Sequence, residues 1–166
     1  SAQAAEINKT RSQNLNDSTV IMVLSESLAD PTRVPGISLN KDPLPYIKSL
    51  KASTTSGLML SSGYGGGTAN LEYQALTGLS MSNDSSLTAP YQQLVPGEAW
   101  TPTFNQAWPS SQTLAVHPYV STMYSRRTNY KKFGFSAFYT KDGPQYVKYK
   151  GTLGTSPYVS DEQAYK

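Results

Sequence analysis

Short apolar runs alternate with helical patterns along this chain, and this alternation predicts a mostly parallel β-sheet flanked by helices. Residues 19–24, TVIMVL, form an uninterrupted apolar run, which is typical of a strand that is covered on both faces. We therefore predict a central strand there. Further strands are predicted over residues 57–61, 114–116 and 135–139.

The helices between these strands are predicted from apolar residues at helical spacing. Leu44, Ile47 and Leu50 lie on one face of a predicted helix over residues 43–51, and its prolines fall where the first turn of a helix tolerates them. The same reasoning predicts helices over residues 69–76, 103–108 and 121–133. The predicted fold class is therefore α/β.

Composition limits the domain organisation and the partners. The 166 residues, of which 37% are hydrophobic and 15% charged, suit one globular domain rather than a disordered chain or a membrane bundle. Polar residues 1–17 are predicted to form a linker or a peripheral helix, residues 18–166 the domain itself, and residues 141–157 a long loop or hairpin within it. The net charge of +3 comes from scattered side chains, which does not indicate a nucleic-acid partner. The absence of cysteine excludes disulfides and thiolate metal sites.

Ligands of parallel α/β sheets bind at the carboxyl ends of the strands, so the residues that follow each predicted strand are candidates for chemistry. Glu26 follows the first strand, Thr68 follows the glycine-rich segment after the second, and His117 follows the third. We expect this acid, this hydroxyl and this imidazole to converge at the carboxyl edge of the sheet.

The glycine-rich segment at residues 63–67 precedes a helix, an arrangement that commonly holds phosphate through backbone N–H groups. It lacks the lysine of a nucleotide-type phosphate loop and the glycine spacing of a dinucleotide fingerprint. Thr68 could be a nucleophile, which needs activation by a base or a metal, or it could simply cap the helix. Both interpretations are open on local grounds, although Leu71 stands where a capping box has Glu or Gln.

Three motifs in this order, VIMVLSES at 20–27, GGGTANLEY at 65–73 and LTGL at 76–79, resemble the lipoteichoic acid synthase family. Its members are extracellular phosphoglycerol transferases of Gram-positive bacteria, within the sulfatase and alkaline phosphatase superfamily. The resemblance extends from about residue 18 to the end of the chain. It implies a three-layer α/β/α fold with a mostly parallel central sheet, of which this chain would be the amino-terminal part.

The resemblance also implies a role for each candidate residue. Thr68 matches the nucleophile and, with Glu26, a ligand of a catalytic divalent metal, Mn²⁺ or alternatively Mg²⁺. His117, Tyr124 and Arg126 fall in the segment that binds glycerol phosphate. The implied reaction moves glycerol phosphate from phosphatidylglycerol to a growing lipoteichoic acid chain through a covalent phosphothreonine, at the extracellular face of the cell membrane. Contact with the membrane would come from segments outside this chain.

The sequence departs from the family pattern at several positions. Tyr124 stands where the family often has tryptophan, and Tyr119 stands where some members have an acid. The Asp-His pair and the further histidine that complete the family's metal site have no match, since His117 is the single histidine. We therefore expect this chain alone to have an incomplete metal site and to be inactive. Arg127, in contrast to Arg126, is interpreted as part of a solvated helix face.

Two other functions stay open. A sulfatase-like or phosphodiester hydrolase would use the same nucleophile and metal, with water as the acceptor. A non-catalytic wall-binding module is suggested by twelve tyrosines and two tryptophans, because aromatic faces stack on sugars. The ordered set of Glu26, Thr68, His117 and Arg126 favours an enzyme over that module.

Overall fold

The structure is a computed structural model that describes residues 2–9, 15–63, 66–83, 88–144 and 154–165. The α-helices in these ranges are α1 (Ala2–Lys9), α2 (Pro45–Leu50), α3 (Thr68–Thr77), α4 (Pro90–Gln93), α5 (Arg126–Lys132) and α6 (Asp161–Ala164). Short 3-10 helices lie at Leu15–Asp17, Pro31–Arg33, Met81–Asn83, Val95–Gly97, Phe104–Ala107, Ser110–Gln112 and Met123–Ser125. None of the described helices has the length and apolar character needed to cross a membrane.

Two parallel strands, β1 (Leu114–His117) and β2 (Ala137–Thr140), form the sheet of the described residues. Their register places His117 opposite Thr140. The connection between the strands passes through α5, which gives a strand–helix–strand unit of the kind that α/β folds repeat. The predicted α/β class is confirmed, and His117 is the last residue of β1, one position beyond the predicted end of that strand.

A core of aromatic side chains packs α3 and α4 against α5 and β2. Its buried aromatic members are Tyr73, Tyr91, Tyr130, Phe133 and Phe138. The ring of Tyr130 lies 4.6, 5.7 and 6.4 Å, centroid to centroid, from the rings of Phe138, Phe133 and Tyr91. Each fully buried phenylalanine side chain contributes about 1.5–3 kcal/mol through the area it removes from water. This core fixes the relative position of α3 and α5, the two helices that carry candidate site residues.

The apolar runs at residues 19–24 and 57–61 lie outside the sheet, so the prediction of strands there is wrong. Their side chains are largely exposed, with Ile21 at 84% and Leu60 at 91%. An apolar run forms a central strand only where neighbouring strands pair with it and helices cover it. The described part of the chain supplies no paired strand for either run, which is why the apolar pattern alone misled the prediction.

The helix predictions hold for α2 and α3, whose ends lie within two residues of the predicted ones. The helix predicted over residues 103–108 is a 3-10 helix instead. The one predicted over residues 121–133 is interrupted, because Tyr124 and Ser125 have φ angles of 56° and 57°. This left-handed backbone cannot continue an α-helix, so α5 begins only after it.

Helix α1 lies in the segment predicted as a linker or peripheral helix. The domain boundary at residue 18 stays a prediction. Of the predicted loop at residues 141–157, the part at 145–153 lies outside the described residues.

Candidate active site

Thr68 is the first residue of α3, and its side chain does not cap that helix. The N-cap is Gly67, whose φ of 81° lies in the left-handed region that glycine adopts without strain. The Thr68 hydroxyl instead donates a hydrogen bond of 3.0 Å to Oε2 of Glu26. The capping interpretation of Thr68 therefore does not fit the geometry.

Glu26 lies in a turn and is half-buried. A Cβ built on Gly63 would lie 3.1 Å from Oε1 of Glu26 and 2.9 Å from Cδ1 of Leu71. Any side chain at position 63 would therefore displace the acid or the leucine, and glycine leaves room for Glu26 beside Thr68. Residues 64 and 65 of the glycine-rich segment lie outside the described residues.

Arg126, the first residue of α5, is buried, with 2% of its surface exposed. Its Nε donates to both carboxylate oxygens of Glu72 at 3.1 and 2.9 Å, and its Nη2 donates to Oε1 at 2.5 Å. The hydroxyl of Tyr130 donates a further hydrogen bond of 3.0 Å to Oε2 of Glu72. A buried guanidinium is stable only where a partner compensates its charge, and Glu72 is that partner.

Glu72 was not identified as a site residue from the sequence. The available signal was its position four residues after Thr68, because residues at this spacing share one face of a helix, about 6 Å apart along its axis. Its partner Arg126 comes 54 residues later in the chain, and a single sequence does not reveal such a pairing.

His117 lies close enough to Arg126 and Glu72 for the charges of both residues to shift its pKa. Its Nε2 is buried and has no hydrogen-bond partner among the described residues, and its ring stacks on Phe138 at 6.4 Å between centroids. Burial and the positive charge of Arg126 lower the pKa of His117 to about 4, whereas Glu72 and Asp142 act in the opposite direction. At neutral pH the ring is therefore uncharged, with one nitrogen as a donor and the other as an acceptor.

Tyr124 and Ser125 lead into Arg126 through strained backbone. Their left-handed φ angles cost about 1–3 kcal/mol each and persist only where the surroundings fix them. The ring of Tyr124 lies 5.2 Å from the guanidinium carbon of Arg126, which is a cation–π contact. The carbonyl of Tyr124 accepts a hydrogen bond of 3.3 Å from the buried amide of Asn129. Strain of this kind is concentrated at functional sites.

Arg127 is only partly solvated, which corrects its interpretation as a solvated helix face. Its Nη2 donates to the hydroxyl of Ser121 and lies 3.8 Å from Oδ1 of Asp142. Asp142 in turn accepts a hydrogen bond of 2.7 Å from the backbone N–H of Ser121. These contacts join the loop after β1 to the residues that follow β2.

The candidate residues fall into two groups that are connected by α3. Glu26 and Thr68 meet at the first turn of this helix, which confirms that they lie close together. The expected place at the carboxyl edge of a sheet is wrong, because neither residue follows a strand of the described sheet. Arg126 meets the same helix one turn later, at Glu72. No hydrogen bond within the described ranges joins Arg126 directly to Thr68.

The family model for Sulfatase matches residues 18–166, and the chain therefore belongs to the sulfatase family. In particular, it is similar to the solved Streptococcus pyogenes phosphoglycerol transferase GacH in complex with sn-glycerol-1-phosphate, with 41% identity and a TM-score of 0.87. That match covers 99% of this chain and 43% of the GacH chain. The resemblance to phosphoglycerol transferases of the sulfatase superfamily is thus confirmed, and the matches support an enzyme of that superfamily.

A curated relative from Rhizobium meliloti (strain 1021), described as a candidate cyclic beta-1,2-glucan modification protein, is 34% identical over 145 residues. This match covers 86% of the present chain and 22% of the relative. The chain therefore spans less than half the length of either protein.

Enzymes of this superfamily generally use a divalent metal, and two of the candidate residues suit one. Carboxylate and hydroxyl oxygens are ligands that Mg²⁺ and Mn²⁺ prefer, and those of Glu26 and Thr68 are 3.0 Å apart. In the described part of the chain, no group of three or more His, Cys, Asp or Glu side chains could hold a metal ion. A complete site would therefore need ligands in addition to this pair.

Proposed function

We propose that the protein is a metal-dependent transferase that moves glycerol phosphate from phosphatidylglycerol to a growing lipoteichoic acid chain at the extracellular face of the cell membrane. The observation that carries this proposal is the hydrogen bond between Thr68 and Glu26 at the start of α3. Similarity to a phosphoglycerol transferase that was solved with sn-glycerol-1-phosphate supports the choice of transferred group.

In the first half-reaction, Oγ1 of Thr68 attacks the phosphorus of the donor headgroup. A P–O bond to Thr68 forms, and the P–O bond to diacylglycerol breaks. The proton of the Thr68 hydroxyl leaves toward Glu26, which already accepts its hydrogen bond, and passes on to the departing diacylglycerol oxygen. In the second half-reaction, a hydroxyl of the acceptor attacks the same phosphorus, the P–O bond to Thr68 breaks, and the proton of the acceptor passes through Glu26 to Oγ1 of Thr68.

Arg126 and His117 would hold the phosphate during both steps. A guanidinium offers paired N–H donors that match two phosphate oxygens, and a neutral imidazole offers one more. The buried Nε2 of His117 has no hydrogen-bond partner among the described residues, which supports a ligand contact there. Tyr124 would act through its ring contact with Arg126.

Glu26 and Thr68 would hold the metal, for which we propose Mn²⁺ and, as the alternative, Mg²⁺. A bound divalent metal would favour the deprotonated hydroxyl and would neutralise charge on the phosphoryl oxygens. The chain itself holds the two oxygens 3.0 Å apart and keeps position 63 clear of a side chain.

Mass spectrometry of the intact full-length protein after incubation with phosphatidylglycerol tests the covalent route. We expect a mass increase of one glycerophosphoryl group on wild-type protein, located on the peptide that contains Thr68, and no increase on Thr68→Ala. Thr77→Ala is the matched control, because this hydroxyl lies at the other end of α3, where it donates to the carbonyl of Tyr73. Turnover by Thr68→Ala at the wild-type rate would contradict the proposal.

A second acceptor is a glucan hydroxyl, which is favoured by the similarity to the relative described for cyclic beta-1,2-glucan modification. Both acceptors share the first half-reaction, so the second must separate them. The adduct is isolated and given a glycerophosphate polymer, a cyclic beta-1,2-glucan or buffer alone. The acceptor that discharges it fastest is the substrate, and equal discharge in buffer would make the protein a hydrolase.

A further inference from the structure

We propose that Glu72 is a positioning residue, which holds the guanidinium of Arg126 by one edge and leaves another edge for the phosphate of the donor headgroup. This inference deepens the proposed function and rests on it, because it requires Arg126 to contact the phosphate. Neither the sequence motifs nor the comparisons assign a role to Glu72.

The hydrogen bonds of Arg126 divide its donors between two edges of the planar group. One edge, formed by Nε and Nη2, faces the carboxylate of Glu72. Nη1 gives one N–H to the carbonyl of Met123 at 3.3 Å. A guanidinium has five N–H donors, so these contacts use one each on Nε, Nη1 and Nη2, and the described residues leave one on each Nη. These two donors, here called the paired edge, belong to neighbouring nitrogens and can each serve one oxygen of a phosphate.

The carboxylate of Glu72 is itself held in place from two sides. Its backbone belongs to α3, one turn after the proposed nucleophile Thr68, and its Oε2 accepts the hydrogen bond from Tyr130. Glu72 is also buried, with 8% of its surface exposed. The carboxylate therefore fixes the guanidinium of Arg126 with respect to the helix that carries Thr68.

The backbone before Arg126 supplies a second constraint on the same group. Tyr124 and Ser125 hold strained left-handed conformations directly before α5, and the Tyr124 ring contacts the guanidinium. A buried ion pair that served stability alone would not require this strain, because an unbroken helix could present an arginine at the same position. Constraint from both directions fits a side chain whose placement matters for a ligand.

A positioning role and a merely neutralising role predict opposite results. If Glu72 only compensated the charge of Arg126, any variant that kept the negative charge would bind phosphate as well as the wild type. If Glu72 positions Arg126, Glu72→Asp weakens binding although the charge is kept, since the carboxylate is withdrawn by one methylene. This variant also avoids an unpaired buried charge, which would threaten folding.

The test titrates sn-glycerol-1-phosphate into full-length wild type and Glu72→Asp by calorimetry, with thermal melting as the folding control. We expect about tenfold weaker binding by Glu72→Asp, the scale of a displaced hydrogen bond to a charged group. We also expect a raised KM for phosphatidylglycerol with a smaller change in kcat. Glu98→Asp is the matched control, because this half-buried carboxylate contacts Thr101 and is not part of the proposed site. We expect this variant to bind sn-glycerol-1-phosphate as tightly as the wild type.

Coupling to Arg126 separates positioning from a general loss of packing. In an Arg126→Lys background, Glu72→Asp should cause no additional loss of affinity, because the paired edge is already absent; an additive loss would overturn the inference. If Glu72→Asp does not fold, Tyr130→Phe takes its place. This variant keeps the charges of Glu72 and Arg126 but removes the hydrogen bond to Oε2 of Glu72. We expect it to bind sn-glycerol-1-phosphate about threefold more weakly than the wild type.

Two results distinguish failure of this inference from failure of the proposed function. Wild-type affinity in a folded Glu72→Asp protein, or in Tyr130→Phe where that variant is used, overturns the inference alone. A wild-type protein that neither binds sn-glycerol-1-phosphate nor forms an adduct from phosphatidylglycerol overturns the proposed function, and this inference with it.

Discussion

The hydroxyl of Thr68 and the carboxylate of Glu26 are joined by a hydrogen bond of 3.0 Å, although 42 residues separate them in the chain. Thr68 lies in the first turn of a packed helix. Glu26 lies in a turn, and its carboxylate has room beside Thr68 because position 63 is a glycine. Both residues were selected from the sequence for one site, and the fold brings their oxygens together.

Thr68→Ala in the full-length protein should abolish transfer and leave the melting temperature close to that of the wild type. The reason is that the N-cap of α3 is Gly67, so removal of the hydroxyl costs no cap. Thr77→Ala should behave in the opposite way, with normal transfer and a stability loss of about 1 kcal/mol from its hydrogen bond to Tyr73. Rate assays and thermal melts of the two variants check this, and a large stability loss in Thr68→Ala would contradict it.

Glu26→Gln should raise the metal concentration that gives half-maximal transfer by about tenfold or more, because an amide oxygen is a weaker ligand than a carboxylate for hard cations. Chelation should stop transfer by the wild type, and added Mn²⁺ should restore it. Activity is measured against free Mn²⁺ for both proteins. If activity depended on the Mn²⁺ concentration in the same way for both proteins, Glu26 would not be a metal ligand.

Arg126→Lys should weaken binding of sn-glycerol-1-phosphate by about 1–3 kcal/mol, because lysine keeps the charge and loses the paired donors. Arg127→Lys is the neighbouring control, and it should change binding by less than about 0.5 kcal/mol, since the Arg127 guanidinium contacts Ser121 and Asp142 and is assigned no contact with the phosphate. Calorimetric titration of both full-length variants decides the matter. Equal losses would mean that the phosphate contact has been assigned to the wrong arginine.

The pH dependence of stability should carry a contribution from His117, whose pKa falls from 6.5 to about 4 on folding. Above pH 6.5 both states are neutral and the contribution is fully present. As the pH falls toward 4, the unfolded state binds a proton that the folded state excludes, so stability is lost through this window. The expected loss is about 2 kcal/mol, which is below the full value of the shift because the ring is only half-buried.

Urea unfolding of wild type and His117→Gln across that pH range measures this contribution. The variant should lose less stability on acidification than the wild type, because protonation of the carboxylates lowers the stability of both proteins equally and only the wild type has His117. If the free energy of unfolding depended on pH in the same way for both proteins, His117 would have an ordinary pKa in the folded protein and the prediction would be wrong.

Lys132→Met should destabilise the fold by about 2–3 kcal/mol without affecting the site. The Lys132 ammonium donates to the carbonyls of Val95, Pro96 and Glu98 at 2.9, 2.7 and 2.7 Å, and methionine keeps the stem but loses all three charged hydrogen bonds. Lys131→Met, at an exposed position one residue earlier, should change stability by less than about 0.5 kcal/mol. Denaturant melts compare the two, and equal losses would contradict the role of Lys132.

Local pattern was enough to predict the elements whose stability depends on near neighbours. Helix α3 and strand β1 were found within two residues because the apolar pattern that marks each of them lies within one short segment. The apolar run at residues 19–24 was predicted as a strand by the same rule, and it failed because a strand also needs a paired neighbour. Such pairing depends on residues far away in the chain.

The site was predicted to the extent that its chemistry follows a motif. Glu26 and Thr68 were recognised from motif order, and the structure brings them together. The burial of Arg126 and its pairing with Glu72 were not predicted, since charged residues on a helix usually lie on a solvated face. Only the packing of α5 against α3 removes this arginine from water.

The two halves of the site differ in how firmly their segments are held. Helix α3 buries Ala69, Leu71 and Tyr73, whereas the segment before Glu26 leaves its apolar side chains largely exposed. Segments with few buried contacts open at low free energy, while a packed helix opens with the whole domain. Amide protons of α3 should therefore resist exchange with deuterium long after those of residues 19–26 have exchanged. In denaturant or on heating, the helices that carry the proposed phosphate-binding residues would therefore stay folded after the segment that holds Glu26 has opened.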